Sequence, residues 1–272
     1  MTRNNVVYAA KNEGVIGNAE ILCDGITVLA GPNGCGKSTI LEAVAEEKEL
    51  PPHCVVSSRR LPIHSLVWKS YDQLGGREGL DEIPASESAA KDALVVIERL
   101  LDGVFAIEWE DFTTYFCPTD YCVERYETAF CSSGEILLGL MQIALLHDAW
   151  NGDTLVVLDS PDAYLSPDWI VEYARLIVLI NKTLGTRFLI ATHNPDMVSA
   201  IRYISEAEET LDAVRFYLAK KNVDGRYDYR ECVEDEKSIE PIFKFFATAL
   251  DKISEYSCEE VKEEGGDDVN VI

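Results

Sequence analysis

An α/β fold, with a mostly parallel central sheet flanked by helices, N-terminal antiparallel strands and a small inserted lobe, is predicted by three features of this sequence. Residues 154–204 alternate strand-like and helix-like runs, "TLVVLD", "PDWIVEYARLIVLINKTLG", "TRFLIATH" and "PDMVSAIRYI". That order builds parallel strand pairs through helical crossovers. A glycine loop, "GPNGCGKST", joins an apolar run to an amphipathic one near the start. Ahead of it, two strand-like runs flank the turn-forming "NEGVIGN".

The first strand is "NNVVYAA" (4–10), and "NAEILCDGITVLAG" (18–31) reads as one continuous second strand. After the loop, Ile40, Leu41 and Val44 make the apolar stripe of a helix whose acidic residues face outward. "PP" at 51–52 stops it. "HCVVSS" is strand-like, and glycine-rich turns follow at "LGGREG". "SESAAKDALVVIERLLDG" (86–103) is a helix that opens on Ser86, carries Glu87 in its first turn and closes at Gly103. "VFAIEWEDFTTYF" (104–116) and "YCVERYETAF" (121–130) are strand-like. Residues 135–150, "EILLGLMQIALLHDAW", are apolar nearly all round and predict a buried helix. Beyond the alternating block, a hairpin straddles "NVDGRYD", and the helix "SIEPIFKFFATALDKI" precedes the acidic end "CEEVKEEGGDDVNVI". There is no internal repeat.

Bulk properties narrow the function. The 272 residues are 47% hydrophobic and 26% charged, as in an ordinary globular protein. No run approaches the roughly 18 apolar residues that span a bilayer, so no membrane association is expected. The N-terminal residues lack a secretory pattern, and eight scattered cysteines read as the reduced thiols of a cytoplasmic protein. A net charge of -24 repels a nucleic-acid backbone at long range, so direct nucleic-acid binding is not favoured. "SSRR" (57–60) is the one compact basic cluster and reads as a solvated loop. "CPTDYC" (117–122) is a lone cysteine pair with nothing to complete a zinc site.

Gly31 to Ser38 satisfy G-x-x-x-x-G-K-[ST] in full, between a strand and a helix. Glycines let successive backbone N–H groups turn around phosphate oxygens, and the helix N-terminus adds partial positive charge. The nucleotide-binding set is therefore Gly31, Pro32, Asn33, Gly34, Cys35, Gly36, Lys37, Ser38 and Thr39. Lys37 reaches the outer phosphates, and the Ser38 hydroxyl binds magnesium. No N-K-x-D stretch is present for guanine recognition. The apolar strand before Asp159 delivers a second magnesium ligand. The next position, where many such sites carry a glutamate that activates water, is Ser160.

With "CSSGE" (131–135) ahead of Asp159 and "IATHNPD" after it, residues 20 to 205 resemble the ATP-binding cassette (ABC) superfamily. They are most like its soluble, SMC-like ATPases, often grouped as AAA-family ATP-binding proteins. That group includes chromosome-maintenance heads and the ATPase domains of phage-defence systems of the overcoming-lysogenization-defect type. The resemblance implies a P-loop NTPase fold of ABC-head type, with ATP and Mg²⁺ as cofactors. Ser132, Ser133, Gly134 and Glu135 match the signature motif, which in this superfamily contacts the γ-phosphate held by the other protomer. His193 matches the switch histidine that senses the γ-phosphate. Gln73 matches the glutamine that touches magnesium and the attacking water. Lys37, Asp159, Ser160, His193 and Gln73 thus form the implied catalytic set, and Ser38, Asp159 and Gln73 the metal set.

Departures matter too. "DSPDAYLSP" differs from transporter cassettes and fits the D-E-P-E-x-x-L-x-P of the soluble group, with Ser160 at the general base and Ser166 where that group often has histidine. The segment before the signature is too short for a long coiled coil. The expectation is a single ABC-type ATPase domain over 1–258, with an inserted lobe at about 51–130, and a disordered acidic tail over 259–272. It would dimerise head-to-tail on ATP and control a protein effector, in phage defence or DNA maintenance. Three states of the chemistry stay open: a slow ATPase, a carboxylate supplied by Asp162 instead, or vestigial hydrolysis in an ATP-gated scaffold for an effector such as a nuclease. A transporter cassette is the remaining alternative.

Overall fold

A computed structural model describes residues 6–46, 53–57, 90–108, 113–118, 126–127, 131–146, 150, 152, 154–232 and 239–263. Eleven strands lie in two sheets among them: β1 (Val6–Glu13), β2 (Ile16–Cys23), β3 (Ile26–Ala30), β4 (His53–Ser57), β5 (Gly103–Glu108), β6 (Thr113–Pro118), β7 (Tyr126–Glu127), β8 (Leu155–Asp159), β9 (Arg187–Thr192), β10 (Val214–Lys221) and β11 (Tyr227–Glu231). The helices are α1 (Lys37–Glu46), α2 (Lys91–Leu101), α3 (Ser133–Leu146), α4 (Pro167–Leu184), α5 (Pro195–Ala207) and α6 (Glu240–Glu263).

The main sheet runs β1-β2-β11-β10-β3-β9-β8-β4. From β10 through β4 every pair is parallel, while β1 with β2 and β10 with β11 are antiparallel. Every residue of β3, β8 and β9 is buried, as expected of parallel strands covered on both faces. One core layer holds α2 to α5 and the start of α6. The other holds α1, through Ile40, Leu41 and Val44, with β1 and β2. The crossover helices start where local chemistry predicts. Pro167 and Pro195 occupy first turns. Asn194 caps α5 by accepting from the Asp196 N–H, and Gly185 ends α4 at φ 71.

Residues 18–31 are two strands, correcting the single strand read from sequence. The chain breaks at Asp24–Gly25, and β10 and β11 separate β2 from β3. A Cβ on Gly25 would collide with the Ala213 carbonyl, and the Gly25 carbonyl accepts from the Phe188 N–H. Residues 104–116 likewise fold back as the hairpin β5–β6, which with β7 forms a separate three-stranded antiparallel sheet. The helix before it ends in a left-handed Asp102 (φ 49), so Gly103 begins β5 instead of closing α2. There a side chain would meet the Phe116 ring and the Cys117 carbonyl. The Ser86 start, most of "SSRR", Cys122 and residues 264–272 lie outside the described residues. The last helix runs to Glu263, past the expected boundary at 258. No helix of the described residues is long and apolar enough to cross a membrane.

Candidate functional site

Strand register assembles the site. Ala30 at the end of β3 sits opposite Thr192 at the end of β9, and Ala191 sits opposite Asp159 at the end of β8. The glycine loop, His193 and Asp159 therefore emerge side by side at the carboxyl edge of the sheet, where open α/β folds bind ligands.

The loop is seated by strands distant in sequence. A Cβ on Gly31 would stand 2.7 Å from Ala219 of β10. Gly36, at φ 96, lies against Val15 of the β1–β2 turn and Ile16 at the start of β2, and Gly34 is at φ 75. These conformations need glycine. Lys37 is 5% exposed. Its ammonium donates to the Gly31 and Pro32 carbonyls at 3.0 Å each, to the Cys35 sulfur at 3.6 Å and to His193 Nδ1 at 3.4 Å. Burial lowers the Lys37 pKa, against the upward pull of Cys35 and then Asp159.

His193 is exposed, and its pKa is lowered by desolvation and then by Lys37. A neutral ring leaves Nδ1 free to accept the lysine proton. Asp159 is 9% exposed. Ser160 follows it in a left-handed conformation (φ 52, ψ 54), with its N–H on the Ala191 carbonyl at 2.8 Å. Its hydroxyl leans back on Asp159 Oδ1 at 3.4 Å. Asp162, one residue into the following 3-10 turn, accepts the Thr192 hydroxyl at 2.7 Å. Burial raises the Asp162 pKa, opposed first by that bond. Thr192 Oγ1 also accepts the Asn194 N–H at 2.9 Å, which anchors the residues on both sides of His193.

The residues expected to form the signature motif have local partners. Ser132 caps α3 in a reciprocal box: its hydroxyl accepts the Glu135 N–H at 3.2 Å, and its own N–H donates to Glu135 Oε2 at 2.6 Å. Ser132 is exposed and Gly134 buried. Gln73 lies outside the described residues. Ser38 and Asp159 offer hard oxygen donors, but among the described residues no group of three or more His, Cys, Asp or Glu could hold a metal. That donor set fits magnesium, which takes most of its ligands from phosphates and water. Ala219 and Tyr229, which shape the site, carry no motif and are invisible in the sequence, and Thr192 lies in "IATHNPD" but its bond to Asp162 cannot be read there.

No protein-family model matches the chain. The lipoprotein-releasing system ATP-binding protein LolD of Paramagnetospirillum magneticum is 26% identical over 204 residues, covering 71% of this chain and 86% of that protein. Among solved structures, an SMC head bound to the C-winged helix domain of ScpA superposes with a TM-score of 0.55 at 13% identity, over 80% of this chain and 94% of that one. A dimeric bacterial ABC transporter cassette gives 0.46 at 15% identity, over 84% and 95%. The α/β architecture, a mostly parallel sheet flanked by helices, is the fold of that SMC head.

Proposed function

We propose that a chain with this ABC-type head and this strand-edge site is an ATP-binding switch. Two copies clasp head-to-tail around two ATP–Mg²⁺, hydrolyse ATP slowly, and control a partner protein. The observation that carries the reading is the row of the glycine loop, His193 and Asp159 on three neighbouring strands, with Lys37 within 3.4 Å of His193. Ser38 and Asp159 would hold magnesium, which when bound supplies charge neutralisation for the phosphates. Lys37 exchanges its loop carbonyls for phosphate oxygens, and neutral His193 then offers the terminal phosphate its ring. Ser132 and the start of α3 meet the partner copy's nucleotide.

Ser160 decides the rate. A serine hydroxyl orients water but does not accept its proton near neutral pH, and losing general-base help costs roughly 10²–10⁴-fold. In single-turnover assays, Ser160→Glu is expected to speed hydrolysis by roughly 10²-fold or more. Asp162 is held by Thr192, so Asp162→Ala is expected to leave the rate unchanged. A large fall would instead make Asp162 the base. Light scattering tests the clamp: a monomer with and without ATP–Mg²⁺ rules it out.

The serine at 160, where a general-base glutamate is expected, also favours a second reading, a hydrolysis-deficient, ATP-gated scaffold for an effector such as a nuclease. Turnover no faster than that of Lys37→Ala, with ATP binding intact in the wild type, selects it. A transporter role predicts that the protein fractionates with membranes.

A further inference from the structure

Tyr229, in the middle of β11, is 4% exposed, and its hydroxyl is hydrogen-bonded to the glycine loop. It donates to the Cys35 carbonyl at 3.3 Å and lies 3.4 Å from the Cys35 thiol. Lys37 donates to that same sulfur at 3.6 Å. One donor arrangement satisfies all three contacts: ammonium to sulfur, thiol to phenol oxygen, phenol to carbonyl. Burial, with Cys35 adding to it, pushes the Tyr229 pKa far up, so the hydroxyl remains a donor.

The consequence follows from peptide geometry. In a planar trans peptide the C=O and the next N–H point to opposite sides. A hydroxyl that holds the Cys35 carbonyl toward β11 therefore turns the Gly36 N–H away from β11. Gly36, at φ 96, has freedom no other residue type enjoys, so its orientation needs an outside hold. Val15 and Ile16 limit it sterically, and Tyr229 adds direction.

We propose that Tyr229 is a positioning residue for the phosphate loop, aiming the Gly36 N–H at bound nucleotide in advance. The inference rests on the loop being an ATP site. Tyr217 provides a matched control. It is 2% exposed in the adjoining β10, and its hydroxyl accepts the Leu22 N–H of β2 at 3.2 Å.

The test is calorimetric binding of ATP–Mg²⁺ to the wild type, Tyr229→Phe and Tyr217→Phe, with thermal melts of each. Both variants lose one buried hydroxyl and are expected to melt at similarly lowered temperatures. Only Tyr229→Phe is expected to bind ATP more weakly, by about tenfold. Wild-type affinity in Tyr229→Phe, or equal weakening in both variants, overturns the proposal. Should Tyr229→Phe not fold, Cys35→Val crowds the hydroxyl off the loop and is expected to weaken binding as well; unaltered affinity there also overturns it. A wild type that takes up no ATP–Mg²⁺ overturns the ATP reading and this one together.

Discussion

Ser160 and Asp162 hold the tension in this site. A left-handed non-glycine residue costs about 1–2 kcal/mol, and a short polar side chain carries that cost best. Ser160→Gly relieves that cost but gives back about 0.4–1 kcal/mol of unfolded-chain entropy, so denaturant titrations should show a net gain of up to about 1 kcal/mol, and a lower midpoint would refute the strain. Asp162 and His193 give stability opposite pH slopes. His193 has a lowered pKa, so the unfolded chain takes the proton first, and its contribution, present above 6.5, is lost as pH falls below that value. Asp162 has a raised pKa, so the folded chain keeps the proton longer, and stability is lost as pH rises above 3.8. Asp162→Asn preserves an acceptor for Thr192 and removes that loss. Its melting temperature at neutral pH should equal or exceed the wild type's; a clear drop would mean that the carboxylate charge is stabilising.

Among the elements, α3 joins the site to the three-stranded sheet. Its start is the Ser132–Glu135 box, and removing such a cap costs about 0.5–2 kcal/mol. Ser132→Ala should show that loss in chemical denaturation of the monomer, whatever it does to ATP-dependent assembly. Further along, a Cβ on Gly139 would stand 2.6 Å from the Phe105 ring of β5. Beside it, Gln142 Oε1 accepts the Phe105 N–H at 2.8 Å. Glycine at 139 lets the Phe105 ring of β5 approach the helix closely. Gly139→Ala is expected to cost about 1–3 kcal/mol by overpacking, with faster hydrogen exchange in β5 and β6. Unchanged exchange would mean that the three-stranded sheet is held elsewhere.

Charge governs the whole molecule. Two copies that each carry -24 repel as they approach, over a Debye length of about 10 Å at 0.1 M salt. In the proposed clamp, the ATP-dependent dimer fraction should therefore rise as salt increases from low ionic strength. Sedimentation velocity across a salt series checks this, and a dimer that weakens from the first addition would point to attractive ion pairs between copies. Basic partners should bind in the opposite sense, losing affinity with salt.

Gly31–Ser38, the apolar run before Asp159 and the alternation over 154–204 were enough to predict the parallel sheet and the loop at its edge. Backbone demands there are local: φ values that need glycine, buried strands that need unbroken apolar runs, helix starts that need proline and a cap. The sequence could not place the break at Asp24–Gly25, because β2 and β3 are parted by strands folded in from residues 214–231. Nor could it show Ser160 turned back on Asp159, Asp162 tied to Thr192, or Tyr229 braced against Cys35 across 194 residues of chain. Those contacts depend on strand order and register, and only the folded sheet sets both.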